Sequence, residues 1–194
     1  MGTPQAALAQ RWAGVKTIGV RACRRDDVPA LAALGRAAFL DTYAGTADTD
    51  DLARHVEDYF SEAAIAKEIV RESVRYFMAE SGEVCAGMIK LRLGSRQQPV
   101  PDGESREVQQ LYVSADYQRK GVGRRLMDAA VAYSQEASAS GLFLSVWSEA
   151  NWAIAFYEDY GFRVLGDVPF RLGSTEYNDR LMWLALAGDE RSSR

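Results

Sequence analysis

The chain has 194 residues, which suits a single domain with room for a short added arm. An apolar share of 47% is ordinary for a globular protein and enough to bury a sizeable core. A net charge of −4 speaks against nucleic-acid binding, no apolar run reaches membrane-spanning length, and one histidine with two cysteines outside any metal-ligand spacing speaks against a protein metal site.

Residues 1–15 read as a flexible arm: Gln10 and Arg11 interrupt any apolar core of a leader, and Gly2 lacks the Ser or Thr that lipidation requires. The chain therefore reads as cytoplasmic. A strand is expected over 16–23. Asp26 then caps a helix that runs through Leu31, Leu34, Ala38 and Phe39 to Tyr43. A turn at 45–49 leads to two shorter helices, 50–60 and 62–72, the second capped by Ser61. Strands over 74–80 and 84–93 flank Ser81-Gly82, a hairpin signal. A polar loop with two prolines, 94–105, precedes a central strand at 106–113. The helix at 121–139 keeps Val122, Leu126, Ala129, Ala130 and Tyr133 on one face. A strand at 142–147, a helix from Asn151, strands at 163–172 and 179–187, and a tail at 188–194 complete the chain. Both cysteines, Cys23 and Cys85, fall in predicted strands and read as small buried hydrophobes. There is no internal repeat and no low-complexity segment.

The helical crossover from Val113 to Leu142 implies a parallel strand pair, and the hairpins imply antiparallel ones. The expected architecture is mixed α/β (α+β): a single domain over 16–187 with one twisted, mostly antiparallel sheet flanked by helices.

Two blocks carry chemistry. Residues 111–125 read L-Y-V-S-A-D-Y-Q-R-K-G-V-G-R-R: a strand, a polar turn, then two glycines among basic residues at a helix start. The first N–H groups of a helix lack intrahelical partners and carry the positive end of its dipole, which makes an anion site. Gly121 and Gly123 let a phosphate approach the backbone, and Arg119, Lys120, Arg124 and Arg125 add full charges. No Lys-Ser/Thr pair completes a P-loop, and Leu126 stands where a dinucleotide fingerprint needs its third glycine. What remains is Q-x-x-G-x-G, from Gln118, Gly121 and Gly123, and the ligand is expected to be a phosphorylated cofactor. The second block, residues 151–162, reads N-W-A-I-A-F-Y-E-D-Y-G-F. Asn151 suits a helix N-cap, Ala153, Phe156, Tyr157 and Tyr160 recur at helical spacing, and Gly161 suits the helix end.

Together these blocks resemble the GNAT N-acetyltransferase superfamily, in which a Q-x-x-G-x-G loop holds the pyrophosphate of acyl-CoA and an N-x-x-A-x-x-F-Y-x-x-x-G-F helix follows. The resemblance covers roughly 16–187. Softer motifs resemble PaiA-type polyamine N-acetyltransferases: A-F-L-D-T-Y at 38–43, Asp58-Tyr59-Phe60, V-W-S-E-A-N-W-A-I-A-F-Y, and Asp179-Arg180-Leu181-Met182. The resemblance implies acetyl-CoA as cofactor and a primary amine as acceptor, a small molecule such as a polyamine. It places the pantetheine arm against Leu111, Tyr112 and Val113, with a backbone N–H near Val113 facing the developing oxyanion. It places the pyrophosphate on Gln118, Arg119, Lys120, Gly121, Val122, Gly123 and Arg124, and the thioester end near Asn151, Phe156 and Tyr157.

Tyr157 is the expected general acid, since a phenol stays protonated up to about pH 10. For Glu107, at the start of the central strand, two readings stand: a base acting directly or through water, or a solvated strand-end carboxylate. Gln109 is expected on the same strand face by period two but cannot act as a base. Phe39, Asp41, Tyr43 and Tyr59 are candidates for the amine site, because carboxylates and aromatic faces suit a cation. Other acceptors, a protein, peptide or amino-antibiotic, remain open, as does an idle acyl-CoA-binding sensor. Many GNAT domains dimerise, so a homodimer is also open.

Overall fold

The computed structural model describes residues 17–43 and 45–186. β1 (Ile18–Ala22) leads through a 3₁₀ turn at Arg25–Asp27 into α1 (Val28–Tyr43), followed by α2 (Thr49–Phe60) and α3 (Glu62–Glu68). β2 (Val74–Ser81), β3 (Val84–Leu93) and β4 (Ser105–Val113) form a meander. A second 3₁₀ turn, Ala115–Tyr117, enters α4 (Val122–Glu136), and β5 (Gly141–Trp147), α5 (Asn151–Tyr160), β6 (Arg163–Leu172) and β7 (Thr175–Ala185) follow. The sheet order is β1-β2-β3-β4-β5-β7-β6, antiparallel throughout except for β4 and β5, which the α4 crossover makes parallel. This is the expected mixed sheet. The expected arm (1–15) and tail (188–194) lie outside the described residues. No helix among the described residues is long and apolar enough to cross a membrane.

Each face of the sheet is covered. Leu126, Met127 and Ala130 of α4 and Ala153 and Tyr157 of α5 pack on Leu142, Leu144 and Val108. Leu31 and Ala32 of α1 and Ile65 of α3 pack on Tyr76, Met78 and Met88. Each of these large aliphatic side chains contributes roughly 1.5–3 kcal/mol on burial. A third cluster, Phe39, Leu52, Val56, Phe60 and Leu172, joins α1 and α2 to the far end of β6.

The β6–β7 hairpin is held to α2 by its tip. The Asp51 carboxylate accepts the Ser174 N–H at 3.0 Å and the Ser174 hydroxyl at 3.3 Å. Gly173 sits there at φ +58°, and a Cβ on it would lie 1.9 Å from the Asp51 carboxyl, so both the turn and the close approach require glycine.

Several boundaries differ from the expected ones, each for a local reason. Asp27, not Asp26, closes the entry to α1: its carboxylate accepts the Arg24 N–H at 2.6 Å and is held by Arg21 at 2.7 Å. Asp48 caps α2 by accepting the Asp50 N–H at 2.8 Å, so the helix begins at Thr49. α3 ends at Glu68, where the chain enters a turn. β7 begins at Thr175 because the polar run to Asn178 pairs with β6. Asn151 is the first residue of α5 rather than its cap; Ala150 holds the cap position, and no side chain caps this end. Ser61 and Gly161 do what was expected of them: the Ser61 hydroxyl accepts the Ala64 N–H at 3.2 Å, and Gly161 ends α5 at φ 114°. The cysteines are half-buried rather than buried, Cys23 just beyond β1, and burial pushes their thiols up to about 12 for Cys23 and about 11 for Cys85.

Candidate active site

β4 and β5 pair over three rungs, Ser105 with Gly141, Arg106 with Leu142 and Glu107 with Phe143, although β4 runs on to Val113 and β5 to Trp147. Beyond Glu107 the strands part. A bulge in β4 accompanies the divergence: Gln110 pairs with Lys90 and Val108 with Leu91, so Gln109 is the extra residue. Bulges bend a strand and increase its twist. This one also breaks the alternation of side chains. Val108, Leu111 and Val113 all pack into the α4-side core, whereas Tyr112 packs on Phe60 from the other face. The period-two expectation that paired Gln109 with Glu107 therefore fails at the bulge; past it, Gln110 and Tyr112 take the Glu107 face.

The backbone of β4 faces the gap with free groups. Ser114 N–H donates to the Ala86 carbonyl at 3.0 Å, on the β3 side. Alternation then turns the N–H and C=O groups of Leu111 and Val113 away from β3 and into the gap. Backbone polar groups in such a position call for a partner.

At the mouth of the gap the chain makes its phosphate-type turn. Gln118 Nε2 donates to the Val113 carbonyl at 3.3 Å. Arg119 and Gly121 are left-handed, at φ 58° and 79°. Gly121 adopts this freely, whereas for Arg119 it stores strain, a feature that gathers at functional loops. The Arg125 N–H is bonded to the Gly121 carbonyl at 3.1 Å, and the N–H groups of Val122, Gly123 and Arg124 precede that bond. Val122 offers its backbone alone, because its side chain is buried in the core. A Cβ on Gly123 would meet the Phe156 ring at 3.3 Å, so glycine lets α5 lie close to the loop. Arg119, Lys120 and Arg124 are exposed around the turn, Lys120 over the Tyr117 ring at 5.6 Å and Arg124 over the Tyr160 ring at 5.2 Å. Free donors, a left-handed turn and an unpaired strand edge together fit a phosphorylated cofactor with an extended, amide-bearing arm.

Tyr157 stands on α5 at 9% exposure, its ring 5.2 Å from Phe156 and 5.6 Å from Phe162. Among the described residues its hydroxyl has no hydrogen-bond partner. Burial pushes its pKa up, so the phenol keeps its proton across the neutral range. Asn151 is exposed at the start of the same helix. Glu107 occupies the last paired rung, at the closed end of the gap, and accepts the Ser95 hydroxyl at 2.8 Å.

The four amine-site candidates do not stay together. Phe39 and Tyr43 share a face of α1, their rings 4.7 Å apart, but Asp41 lies about 200° round the helix from Phe39 and is exposed. The helix therefore turns Asp41 away from the aromatic residues, which corrects the expectation that it joins them. Phe39 is buried, stacked on His55 at 4.4 Å, and Tyr59 flanks His55 at the outer edge, 50% exposed. Burial lowers the His55 pKa and favours the neutral ring.

Sequence reasoning missed the other half of the cluster. Trp147 from the end of β5, Phe170 from β6 and Tyr177 from β7 close round Tyr43 at 6.0, 6.3 and 5.8 Å. The alternation of Tyr177, Asp179 and Leu181 on one strand face was the available signal. Tyr112 joins the two ends of the site: its pKa rises first through burial, then through the nearby Tyr43 and Tyr157 phenols. A hollow elsewhere on the surface, between Val28 and Ala66, lies at the opposite end of α1, roughly 20 Å from Tyr43, and has no aromatic lining.

Comparison with known proteins identifies the family and matches the fold. The profile of the acetyltransferase (GNAT) family matches residues 36–162. An uncharacterized N-acetyltransferase in the pepI 3′ region of Lactobacillus delbrueckii subsp. lactis is 31% identical over 174 residues, 89% of this chain and 98% of that one. Among solved structures, the PaiA N-acetyltransferase from Thermoplasma acidophilum in complex with coenzyme A superposes with a TM-score of 0.72 at 22% identity, over 87% of this chain and 99% of that one. The ribosomal-protein-S18-alanine N-acetyltransferase from Escherichia coli gives a TM-score of 0.63 at 17% identity, over 92% and 99%.

Proposed function

Since the chain belongs to the GNAT acetyltransferase family, whose members use acetyl-CoA, we propose that it acetylates a primary amine of a small molecule, a polyamine ahead of other amines. The observation that carries this reading is the gap between β4 and β5, an unpaired strand edge that opens onto an aromatic cluster. When bound, acetyl-CoA supplies the activated acetyl thioester. Arg119, Lys120 and Arg124, with the N–H groups of residues 121–124 and the Gln118 side chain, hold the pyrophosphate. Leu111 through its N–H and C=O, and Val113 through its N–H, pair with the arm as a neighbouring strand would, and Tyr112 borders it; the Val113 carbonyl is taken by Gln118. Asn151 and Phe156 line the reacting end.

Tyr157 Oη keeps a proton in reserve for the sulfur that departs, and its lack of a protein partner leaves that proton free to be given. Glu107 is read as the acceptor for the proton of the incoming ammonium, reached through water because its carboxylate sits at the closed end of the gap. Phe39, Tyr43 and Tyr59 belong to the aromatic wall of the acceptor site, while Asp41, on the opposite face of α1, does not. The catalytic unit is taken as 16–187, and a cytoplasmic location suits it.

The test is release of free thiol from acetyl-CoA against spermidine, spermine, 1,4-diaminobutane, amino acids, an aminoglycoside and peptides. Turnover with polyamines above the others is the expected outcome. Turnover with peptides and none with free amines would replace the small-molecule acceptor, and acetyl-CoA binding without turnover would turn the reading to a sensor.

A further inference from the structure

One carboxylate oxygen beneath the aromatic cluster lacks a partner. Asp179 on β7 is 5% exposed, and its Oδ1 accepts no hydrogen bond among the described residues. A buried carboxylate is ordinarily paired with a cation or fully hydrogen-bonded. The adjacent cation is spent elsewhere: Arg180 is ion-paired with Asp167 on β6 and points to the other face of β7. Burial raises the Asp179 pKa, and the Ser145 hydroxyl on β5 opposes that by favouring the charged form.

The surroundings suit an organic cation. Asp179 is the cross-strand partner of Trp147, and Tyr177, two residues earlier on β7, shares its face. Tyr43 completes the wall, and its pKa is raised by burial first and by the Asp179 charge second. The three rings lie 5.8 to 6.2 Å apart, Trp147 and Tyr177 at right angles. Aromatic faces around a carboxylate attract an ammonium group. The approach is open, because Ser145 and Trp147 belong to the stretch of β5 that β4 no longer covers, and Ser145 is exposed.

The position relative to Tyr157 indicates which nitrogen is held. Tyr157 packs with the α4-side core on one face of the sheet, whereas Asp179 shares the opposite face with Trp147 and Tyr177. The proton donor and the carboxylate therefore meet the gap from different faces, which leaves Asp179 to hold a nitrogen other than the one that receives the acetyl group. We propose that Asp179 anchors a second, protonated nitrogen of the acceptor, so that the enzyme selects diamines and polyamines over monoamines. The proposal rests on reading the gap as an amine acetyltransferase site.

The test compares 1,4-diaminobutane with 1-aminobutane at saturating acetyl-CoA, for the parent and Asp179→Asn. The parent is expected to favour the diamine in kcat/KM by about 10- to 100-fold, the range of one hydrogen bond to a charged group. Asp179→Asn is expected to erase that preference through the diamine KM, leaving the acetyl-CoA KM and the monoamine kcat as they were. A parent without the preference, or a variant that keeps it, overturns the anchor while leaving amine acetylation intact. Should the parent acetylate neither amine, the small-amine reading falls separately. The anchor is then decided by calorimetric titration of 1,4-diaminobutane into the CoA-loaded protein: binding lost in Asp179→Asn upholds it, and binding absent from the parent or retained in the variant overturns it. Asp179→Asn is expected to melt no lower than the parent, since it removes a buried charge. Trp147→Leu serves as the second variant and is expected to weaken the diamine more than the monoamine; equal weakening of both counts against the anchor.

Discussion

Replacing Tyr157 by Phe separates catalysis from packing, because the ring contacts survive the change while the proton donor is lost. The Tyr157 ring is buried between Phe156 and Phe162, and both contacts survive in Phe. The hydroxyl has no partner among the described residues, so its removal breaks no hydrogen bond within them. The change in folding stability is expected to lie within about 1 kcal/mol of zero. Loss of a positioned proton donor typically costs 10²- to 10⁴-fold in rate, about 3 to 5 kcal/mol in the barrier. Thermal melting and thiol release at saturating acetyl-CoA and amine, measured on the same preparations, read both quantities. The expected pair is a melting temperature close to the parent's and a kcat lower by about 100-fold or more. Turnover kept within about twofold would refute the acid role, and a large drop in melting temperature would refute the account of the hydroxyl as unpartnered. Because burial raises the phenol pKa, the parent should show no alkaline loss of kcat from this group below about pH 10.

Other residues yield shorter tests. Gly121→Val forces a β-branched residue into a left-handed turn whose surroundings are otherwise open, so strain of roughly 1–3 kcal/mol and a weaker grip on CoA, at least about 10-fold by calorimetry, are expected with the core unaffected. Lys90 is 2% exposed and its ammonium is paired with Glu68 at 2.5 Å, so Glu68→Gln strands a buried cation and should cost about 3 kcal/mol in denaturant unfolding, most of it recovered by adding Lys90→Met. His55 has a folded pKa below its unfolded value of about 6.5. Its contribution is therefore complete above that pH and is lost as pH falls below it toward the folded pKa; urea unfolding between pH 5 and 8 should show this slope in the parent and a flatter one in His55→Phe.

The fold was readable where local chemistry and long-range pairing agree. The Ser81-Gly82 hairpin, the Ser61 cap and the Gly161 stop are written in residue types whose backbone preferences decide the conformation. The loop at residues 118–124 was readable for the same reason: glycines, a helix start and cations coincide in one short block. The acceptor end was not. Tyr43, His55, Trp147, Phe170 and Tyr177 come from five different elements, and no spacing within one element reports that they meet. The β4 bulge was hidden because V-Q-Q-L has no glycine or proline to mark it; the extra residue is tolerated by a strand edge that has lost its β5 partner. Asp41 misled because A-F-L-D-T-Y places an acid within two residues of two aromatics, while helical geometry sends it to the opposite face.

Several places where this chain departs from local rules lie round one gap. Arg119 is left-handed without being glycine, Leu111 and the Val113 N–H face an absent neighbour, the Tyr157 hydroxyl has no partner among the described residues, and Asp179 buries an unpartnered oxygen. Scattered over a domain they would read as defects. Lined up from the mouth of the gap to its aromatic end, they fit the proposed occupants: an anion at the loop, amides along β4, a proton acceptor beside Tyr157 and a cation at Asp179. Arg106 shows the contrast. Its Nε and one terminal nitrogen also lack partners, yet it lies on the α4 face and rests 4.9 Å over the Tyr133 ring, whose π face stands in for an acceptor. That group is compensated from within the fold; the four round the gap are not, and a CoA thioester meeting a diamine, as proposed, would supply what they lack.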